Sequence, residues 1–273
     1  MTPSSNETTR DPLDRDGLAD QIITPGSLWT SVEVVESLTS TNEVMARRAE
    51  AGEAGRGAVL VAEEQTAGRG RRGRSWTAPP RSSVTASALV TPTGERTTWG
   101  WIPLLTSLAL SDAVETLGVS ASVKWPNDLV VGSAKLAGVL CEVVTTPVGP
   151  SIVVGFGINV CQTTDELPQP DATSLLLCGG STDRARLLTE SLRSFERWYG
   201  RWSGGDERVM AEYVERSSTL GSDVVASIPD GTVLNGRAVR IDANGNLVLE
   251  VGGAERQVVA ADVVHLRPTR LPP

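Results

Sequence analysis

The stretch EEQTAGRGRRGRSW, residues 63–76, joins two strand-like runs and decides how the surrounding chain is interpreted. The runs GAVLVA at 57–62 and SSVTASALV at 82–90 are apolar and β-branched, which is typical of buried strands. The glycines of the loop let the backbone wrap around a ligand, and its four arginines supply forked donors for carboxylate or phosphate oxygens. We expect the loop to be disordered when empty and to close over an anionic ligand. A solvated basic loop or an RNA-binding Arg/Gly segment would have the same composition.

Two further segments carry residues suited to chemistry. In KWPNDLVVGSAKLAGVLCE, residues 124–142, Asn127 and Asp128 follow a proline between strands, so we expect their side chains to face a cleft. Lys135 stands where the next strand begins. The run GFGIN, residues 155–159, has two glycines in a strand, which weaken it unless a ligand or backbone must approach closely. Each feature has a simpler structural interpretation. Lys135 could be an exposed lysine in a turn, Asn127 and Asp128 could form a simple Asx turn, and the glycines of GFGIN could mark a β-bulge.

Composition excludes several classes of protein. The 273 residues contain 25 Lys+Arg and 33 Asp+Glu, and the net charge of −8 argues against general binding of nucleic acid or anionic membranes. A single histidine, His265, and three cysteines without a CxxC pair nearly exclude a zinc site and favour a reducing compartment. No signal peptide or bilayer-spanning stretch is visible, so we expect a soluble, cytoplasmic protein.

The order of strand-like and helical patterns predicts an α+β fold, with helices flanking a sheet, followed by a small all-β domain. We expect a flexible polar tail over 1–25, with one short helix near 18–23, and a main domain over 26–217. Residues 218–270 read as short alternating strands separated by turn signals, which is typical of a small β-barrel. Helices are expected over 42–52, 101–117 and 183–202.

Taken together, these segments resemble the biotin–protein ligase family. The motifs STN, EEQTAGRGRRGRSW, KWPNDL, KLAGVL and GFGINV occur in the family's order and approximate spacing, across roughly residues 38–267. The resemblance implies a class II synthetase-like catalytic domain with a mixed sheet, plus a C-terminal SH3-like β-barrel. It also implies an ATP-dependent ligase that forms biotinyl-5'-AMP from biotin and MgATP. The biotin would then pass to a lysine of a biotin carboxyl carrier domain. A lipoate or octanoate ligase, or a non-catalytic module that senses adenylate or RNA, are the competing interpretations.

The resemblance also implies the role of each site residue. Lys135, Asp128 and Arg69 would be catalytic, with Lys135 at the biotin carboxylate and α-phosphate and Asp128 as base or orienting group for the acceptor amine. Biotin would be bound by Ser40, Thr41, Asn42, Gln65, Gly68, Arg69, Lys135 and Gly138. ATP and the adenylate would be bound by Arg71, Arg72, Arg74, Trp76, Asn127, Gly155, Gly157 and Asn159.

The resemblance bears on cofactors and partners as well. ATP and Mg²⁺ would be the cofactors, with no metal ligand assigned in the chain. The partners would be biotin and the carrier domain of a biotin-dependent carboxylase. Some family members carry an N-terminal DNA-binding domain, but the residues before the catalytic segment are few and polar, so we expect no DNA or membrane partner. A monomer or weak dimer is expected.

Overall fold

The computed structural model describes residues 10–228, 230–259 and 262–265. Within these residues the chain forms five α-helices and twelve β-strands. The helices are α1 (Arg15–Ile22), α2 (Thr41–Glu50), α3 (Trp101–Thr116), α4 (Arg184–Ser203) and α5 (Arg208–Arg216). The strands are β1 (Ser31–Leu38), β2 (Ala58–Gln65), β3 (Ser83–Val90), β4 (Ser122–Lys124), β5 (Asp128–Val131), β6 (Ala134–Thr146), β7 (Gly149–Asn159), β8 (Asp223–Ser227), β9 (Val233–Ile241), β10 (Leu247–Val251), β11 (Ala254–Val258) and β12 (Asp262–His265). In this described part, no helix is both long and apolar enough to cross a bilayer.

The larger sheet has seven strands among the described residues, in the order β1-β2-β3-β7-β6-β5-β4. Strands β1 and β2 are parallel and the remaining neighbours are antiparallel, so the sheet is mixed. Alternate residues of β2 enter two apolar clusters: Val59 and Val61 join the cluster that contains α3 and α4, whereas Leu60 packs with Met45 of α2. This period of two is what a strand buried on both faces requires. The helices therefore cover the sheet on both sides.

Helices α2 and α4 each begin at a side-chain cap. The Ser40 side chain accepts the Glu43 N–H ahead of α2, and the Asp183 side chain accepts the Arg186 N–H ahead of α4. Both caps satisfy a backbone donor that the first helical turn leaves without an intrahelical partner. The predicted helices over 42–52, 101–117 and 183–202 correspond to α2, α3 and α4. Helix α5 and strand β5 were not predicted.

Residues 10–25 differ from the expected flexible tail. Helix α1 buries Leu18 and Ile22, which are 1% and 2% exposed. The guanidinium of Arg184 donates to Glu63 Oε2 at 2.5 Å and to the Asp11 carbonyl at 2.5 Å. This buried ion pair ties α4 to the end of β2 and holds the incoming chain against both. Residues 1–9 lie outside the described part of the chain.

The second sheet has five antiparallel strands within the described residues, in the order β11-β10-β9-β8-β12. It docks on the larger domain through indole donors: Trp101 Nε1 to the Ala243 carbonyl at 3.0 Å, and Trp125 Nε1 to the Gly245 carbonyl at 3.1 Å. The prediction of an α+β chain with a mixed, helix-flanked sheet and a small C-terminal all-β unit is confirmed. The expected domain boundary at residue 218 stays a prediction, and residues 266–270 of the expected barrel lie outside the described residues.

Candidate active site

A cleft opens where the start of α2, the ends of β2 and β7, the first half of β6 and the loop over residues 66–77 meet. Most of the predicted site residues line it. They are Ser40, Thr41, Asn42, Gln65, Arg69, Arg71, Arg74, Trp76, Asn127, Lys135, Gly138, Gly155, Gly157 and Asn159. Gly68, Arg72 and Asp128 do not line it. Segments far apart in the sequence are therefore brought to one place.

One end of the cleft is built from neutral polar groups. Gln65 Oε1 accepts the Thr41 N–H at 2.8 Å and lies 3.1 Å from the Thr41 hydroxyl. Because the carbonyl oxygen is used in this way, the NH₂ group is the part of Gln65 that can donate to a ligand. The N-cap residue Ser40 lines the same end, 1% exposed. This end suits a small uncharged group that accepts hydrogen bonds.

The glycines of β7 make room for protein side chains. A Cβ at Gly155 would collide with Asn42 Oδ1, and one at Gly157 would collide with the indole ring of Trp76. Both glycines were predicted to let a nucleotide approach closely, whereas here Asn42 and Trp76 occupy the space beside them. The indole ring of Trp76 therefore packs against the sheet beside the cleft. Its Nε1 is buried and has no hydrogen-bond partner among the described residues. The prediction that Trp76 faces adenine stays a prediction.

The base of the arginine loop is closed by backbone contacts. The Trp76 N–H donates to the Gly68 carbonyl at 2.9 Å, and Arg69 and Ser75 form an isolated antiparallel bridge. A Cβ at Gly68 would collide with the Trp76 carbonyl oxygen. Gly68 was predicted to bind biotin. The close approach of the Trp76 backbone is sufficient to explain why this position is a glycine. The expected disorder of the empty loop stays a prediction.

The loop arginines point to different places. Arg69 Nη2 donates to Glu142 Oε1 at 3.1 Å, and Arg71 Nη1 donates to Asn127 Oδ1 at 3.1 Å. Arg72 has a φ of 55° and donates to the Ser227 carbonyl of the C-terminal sheet at 2.9 Å. Arg72 does not line the cleft, but it lines a neighbouring pocket together with Arg71 and Asn127. The assignment of Arg72 to the nucleotide site stays a prediction.

Lys135 enters the cleft from the start of β6. Its backbone is held on both sides, because its N–H donates to the Asp171 carbonyl at 2.7 Å and its carbonyl accepts the Thr173 N–H at 2.8 Å. Its ammonium donates to Asp128 Oδ1 at 2.7 Å. Asp128 thus stands behind Lys135 and does not line the cleft. Lys135 is one of only two lysines in the sequence, the other being Lys124.

Asn127 and Asn159 are both fixed by backbone groups. Asn127 Nδ2 donates to the Val139 carbonyl at 2.8 Å, which leaves its oxygen to receive Arg71. Asn159 Nδ2 donates to the Thr173 carbonyl at 2.9 Å, and its oxygen accepts from Gln162 at 3.1 Å. The Asn159 side chain, 4% exposed, therefore braces the segment after β7.

Sequence reasoning missed several residues of the cleft. Pro168, Gln169 and Ala172 come from an irregular segment that pairs with Lys135. Ser87, on the completely buried strand β3, and Glu142, just after the KLAGVL motif, do not line the cleft but hydrogen-bond to Asn42, which does. No periodicity marks the irregular segment. A carboxylate within an otherwise apolar strand was the one available signal for Glu142.

The charges of the cleft suit anionic ligands. Four cationic side chains line it, from Arg69, Arg71, Arg74 and Lys135. Burial raises the pKa of the neighbouring Cys141 thiol, and the charge of Glu142 adds to the effect, so the thiol stays protonated at neutral pH. In the described ranges, no group of three or more His, Cys, Asp or Glu side chains could hold a metal ion. The site offers charge stabilisation in place of cysteine or histidine chemistry.

Comparison with known proteins agrees with this geometry. The model of the biotin/lipoate A/B protein ligase family matches residues 34–159. The chain is 41% identical over 270 residues to the biotin–[acetyl-CoA-carboxylase] ligase of Mycobacterium tuberculosis, covering 97% of this chain and 100% of that protein. It is 28% identical over 237 residues to the bifunctional ligase/repressor BirA of Bacillus spizizenii, covering 84% of this chain and 73% of that protein.

Solved structures share the fold. The biotin protein ligase from Aquifex aeolicus in complex with biotin and ATP has a TM-score of 0.74 at 24% identity, covering 87% of this chain and 99% of that one. The ligase from Leishmania major in complex with biotinyl-5-AMP has a TM-score of 0.56 at 23% identity, covering 87% of this chain and 98% of that one. Since the mycobacterial similarity extends over nearly the whole of both chains, this chain belongs to the biotin–protein ligase family.

Proposed function

We propose that this cleft carries out both steps of protein biotinylation. Biotin and MgATP react to give biotinyl-5'-AMP and pyrophosphate, and the biotinyl group then passes to a lysine of an acceptor protein. The observation that carries this proposal is the meeting of two unlike ends in one cleft: a neutral hydrogen-bonding end and a cationic end with Lys135. Biotin itself has a neutral urea ring at one end and a carboxylate at the other.

The neutral end would receive the urea ring. Gln65 and Ser40 line this end, and the Gln65 NH₂ group and the Ser40 hydroxyl are donors for which a urea oxygen would be a strong acceptor. The carboxylate would then extend toward Lys135 and Arg69. An isostere without the urea would leave the buried polar groups of this end unpaired, which is costly. This is the physical basis for preferring biotin to lipoate or octanoate.

The first step joins two anions. A biotin carboxylate oxygen attacks the α-phosphorus of ATP, the bond to the bridging oxygen breaks, and pyrophosphate leaves. Two unit charges about 4 Å apart repel by roughly 4 kcal/mol at an effective dielectric of 20. Removing that repulsion corresponds to about a thousandfold in rate. Lys135, held by Asp128, and the loop arginines Arg69, Arg71 and Arg74 would supply the compensating charge.

We assign Mg²⁺ to the triphosphate, as part of MgATP. Mg²⁺ keeps several waters and commonly binds phosphate oxygens with only one or two protein carboxylates. The carboxylates beside the cleft, Asp128 and Glu142, are each engaged by a cation, Lys135 and Arg69 respectively. The ion would supply further charge neutralisation at the phosphates, while the protein residues bind and orient the two substrates.

The second step requires a neutral amine. A lysine with its ordinary pKa of about 10.4 is neutral in fewer than about one molecule in a thousand at pH 7. Asp128 is the proposed base or orienting group; because it is paired with Lys135 and does not line the cleft, it would act on the incoming amine through Lys135 or after Lys135 has moved aside. The proposed acceptor is the biotin carboxyl carrier domain of a biotin-dependent carboxylase, by analogy with the name of the mycobacterial relative. The three unpaired cysteines and the need for ATP support a cytoplasmic location.

The proposal is tested by acylation of an apo biotin carrier domain. Purified protein is incubated with MgATP, the carrier and either biotin, lipoate or octanoate, and the intact mass of the carrier is measured. We expect a mass gain with biotin alone. A gain with lipoate would show that the neutral end has been misinterpreted. No gain with any of the three acids, with folded enzyme and carrier, would favour a non-catalytic binding module.

A further inference from the structure

Glu142 joins two parts of the cleft that the sequence places far apart. Its Oε1 accepts from Arg69 of the arginine loop at 3.1 Å, and its Oε2 accepts from Asn42 of α2 at 2.9 Å. Glu142 lies on β6 with 28% of its side chain exposed, whereas Asn42 is 4% exposed. One oxygen of the Glu142 carboxylate is therefore hydrogen-bonded to the arginine loop, which is expected to close over the ligand. The other oxygen is hydrogen-bonded to α2, which is packed on the sheet.

The contacts continue from Asn42 to the neutral end of the cleft. Ser87 Oγ donates to Asn42 Oδ1 at 2.6 Å and lies 2.7 Å from Thr41 Oγ1. Thr41 in turn donates its N–H to Gln65 Oε1 at 2.8 Å. An unbroken hydrogen-bonded path thus leads from Glu142 to Gln65. Such buried networks stabilise one arrangement when every member is paired.

Glu142 also fixes the orientation of the Asn42 amide. Both hydrogens of Asn42 Nδ2 are used, one by the Leu140 carbonyl at 3.0 Å and one by Glu142, while its oxygen accepts from Ser87. The absence of a side chain at Gly155 leaves room for this arrangement. Removing the carboxylate would leave a buried N–H of Asn42 without an acceptor and Arg69 without its anchor, so both ends of the path would loosen.

We propose that Glu142 is a positioning residue that couples closure of the arginine loop to occupancy of the neutral end by biotin. This inference rests on the proposed function of the cleft. A ligand that pairs with Gln65 and Ser40 orders the path through Thr41, Ser87 and Asn42. Glu142 is then held where it anchors Arg69, and the loop stays closed over the adenylate. The two events are reciprocal, so loop closure also tightens biotin binding.

The test compares Glu142→Gln with Glu142→Ala. The glutamine keeps one oxygen acceptor but presents an NH₂ group to one of two donors, and it removes the charge that holds Arg69. We expect both variants to release biotinyl-5'-AMP about tenfold or more faster and to raise the KM for biotin, with little change in the KM for ATP. Alanine should have the larger effect on biotin. Glu255→Gln is the matched control, since it breaks an exposed Glu–Arg pair with Arg240 in the C-terminal sheet.

Release of labelled biotinyl-5'-AMP is followed after rapid mixing with an excess of the unlabelled adenylate. Biotin binding alone is measured by calorimetry. If Glu142→Gln releases the adenylate and binds biotin as the unmutated protein does, the coupling is absent. If the KM values for biotin and ATP rise equally, and the melting temperature of the variant falls as well, the role of Glu142 is merely structural. A double variant with Arg69→Gln should add little to Glu142→Gln, and full additivity would contradict the pairing. Failure of the unmutated protein to biotinylate any carrier would instead refute the proposed function.

Discussion

The ammonium of Lys135 donates a hydrogen bond to Asp128 Oδ1 at 2.7 Å, between the neighbouring strands β5 and β6. Register between these strands shifts at Leu129 and Val130, which pairs Lys135 with Val130. Both charged side chains keep partial access to solvent, with 31% of Lys135 and 23% of Asp128 exposed. Asp128 therefore fixes the position of the cation while leaving it available to an anionic ligand.

Replacing Lys135 should suppress the first step. We expect Lys135→Ala to slow adenylation by about a hundredfold to a thousandfold, because the repulsion between carboxylate and phosphate is no longer compensated. Pyrophosphate release with biotin and MgATP measures this rate. Lys124→Ala is the control, since Lys124 does not line the cleft. Undiminished pyrophosphate release by Lys135→Ala would remove Lys135 from the mechanism.

Replacing Asp128 by its amide should separate the two steps. The amide oxygen of Asp128→Asn can still accept the hydrogen bond of Lys135, but it is a poor proton acceptor for the incoming amine. We expect transfer to the carrier to slow by at least tenfold more than adenylation. Single-turnover transfer from preformed adenylate is compared with pyrophosphate release. Equal loss in both steps would show that Asp128 acts only by holding Lys135.

Filling the space above β7 should disturb the cleft through the ring of Trp76. A Cβ at Gly157 would meet the indole of Trp76, so Gly157→Ala should displace Trp76 and weaken ATP binding by tenfold or more. ATP affinity is measured by calorimetry. The control is Gly200→Ala on α4, where nothing lies within 4 Å of the added carbon. A Gly157→Ala protein with unchanged ATP affinity would show that Trp76 does not shape the nucleotide site.

Breaking the buried pair between Glu63 and Arg184 should reduce stability strongly. Their side chains are only 2% and 6% exposed, and removal of one partner from such a pair costs about 3–5 kcal/mol. Urea unfolding of Glu63→Gln measures the change. Glu36→Gln is the control, because the pair of Glu36 with Arg81 is exposed and contributes about 0–1 kcal/mol. Similar losses for the two variants would mean that the buried pair is not an anchor.

The single histidine should report on the C-terminal sheet. Burial lowers the pKa of His265 below its usual value of about 6.5, and the charge of Lys124 lowers it further. The neutral form is favoured in the folded state, so its contribution to stability is present above pH about 6.5 and is lost as the pH falls through the folded pKa. One imidazole signal in an NMR titration gives this pKa directly. A pKa at or above 6.5 would contradict the partly buried placement of His265 beside Thr219.

The fold class, helices α2 to α4 and most of the cleft could be predicted from the sequence, because apolar periodicity and short motifs are local signals. Helix α1 was only partly anticipated, since its contribution to the core comes from two apolar residues, Leu18 and Ile22, in a polar stretch. Long-range pairing explains the remaining differences. Arg69 and Asn42 reach Glu142 from 73 and 100 residues away, and no local pattern encodes such a meeting.

The sequence motifs also do not show which of their residues contact the ligand and which contact other parts of the protein. Gly155 is required by Asn42 and Gly68 by the backbone of Trp76, although both are in segments that line the cleft. Arg72, within the same loop as Arg69 and Arg71, reaches the C-terminal sheet instead. Residue type and spacing predict where chemistry occurs, whereas the division of labour within a motif depends on packing.

The scarcity of lysine has a consequence for any assay with this protein. An acyl-adenylate reacts with primary amines, yet the chain offers two lysine side chains, Lys135 already engaged by Asp128 and Lys124 outside the cleft. The other 23 of the 25 basic residues are arginines, whose guanidinium groups stay protonated and do not act as nucleophiles. The enzyme is therefore a poor target for its own product, and self-labelling contributes little background when the mass of an acceptor is measured.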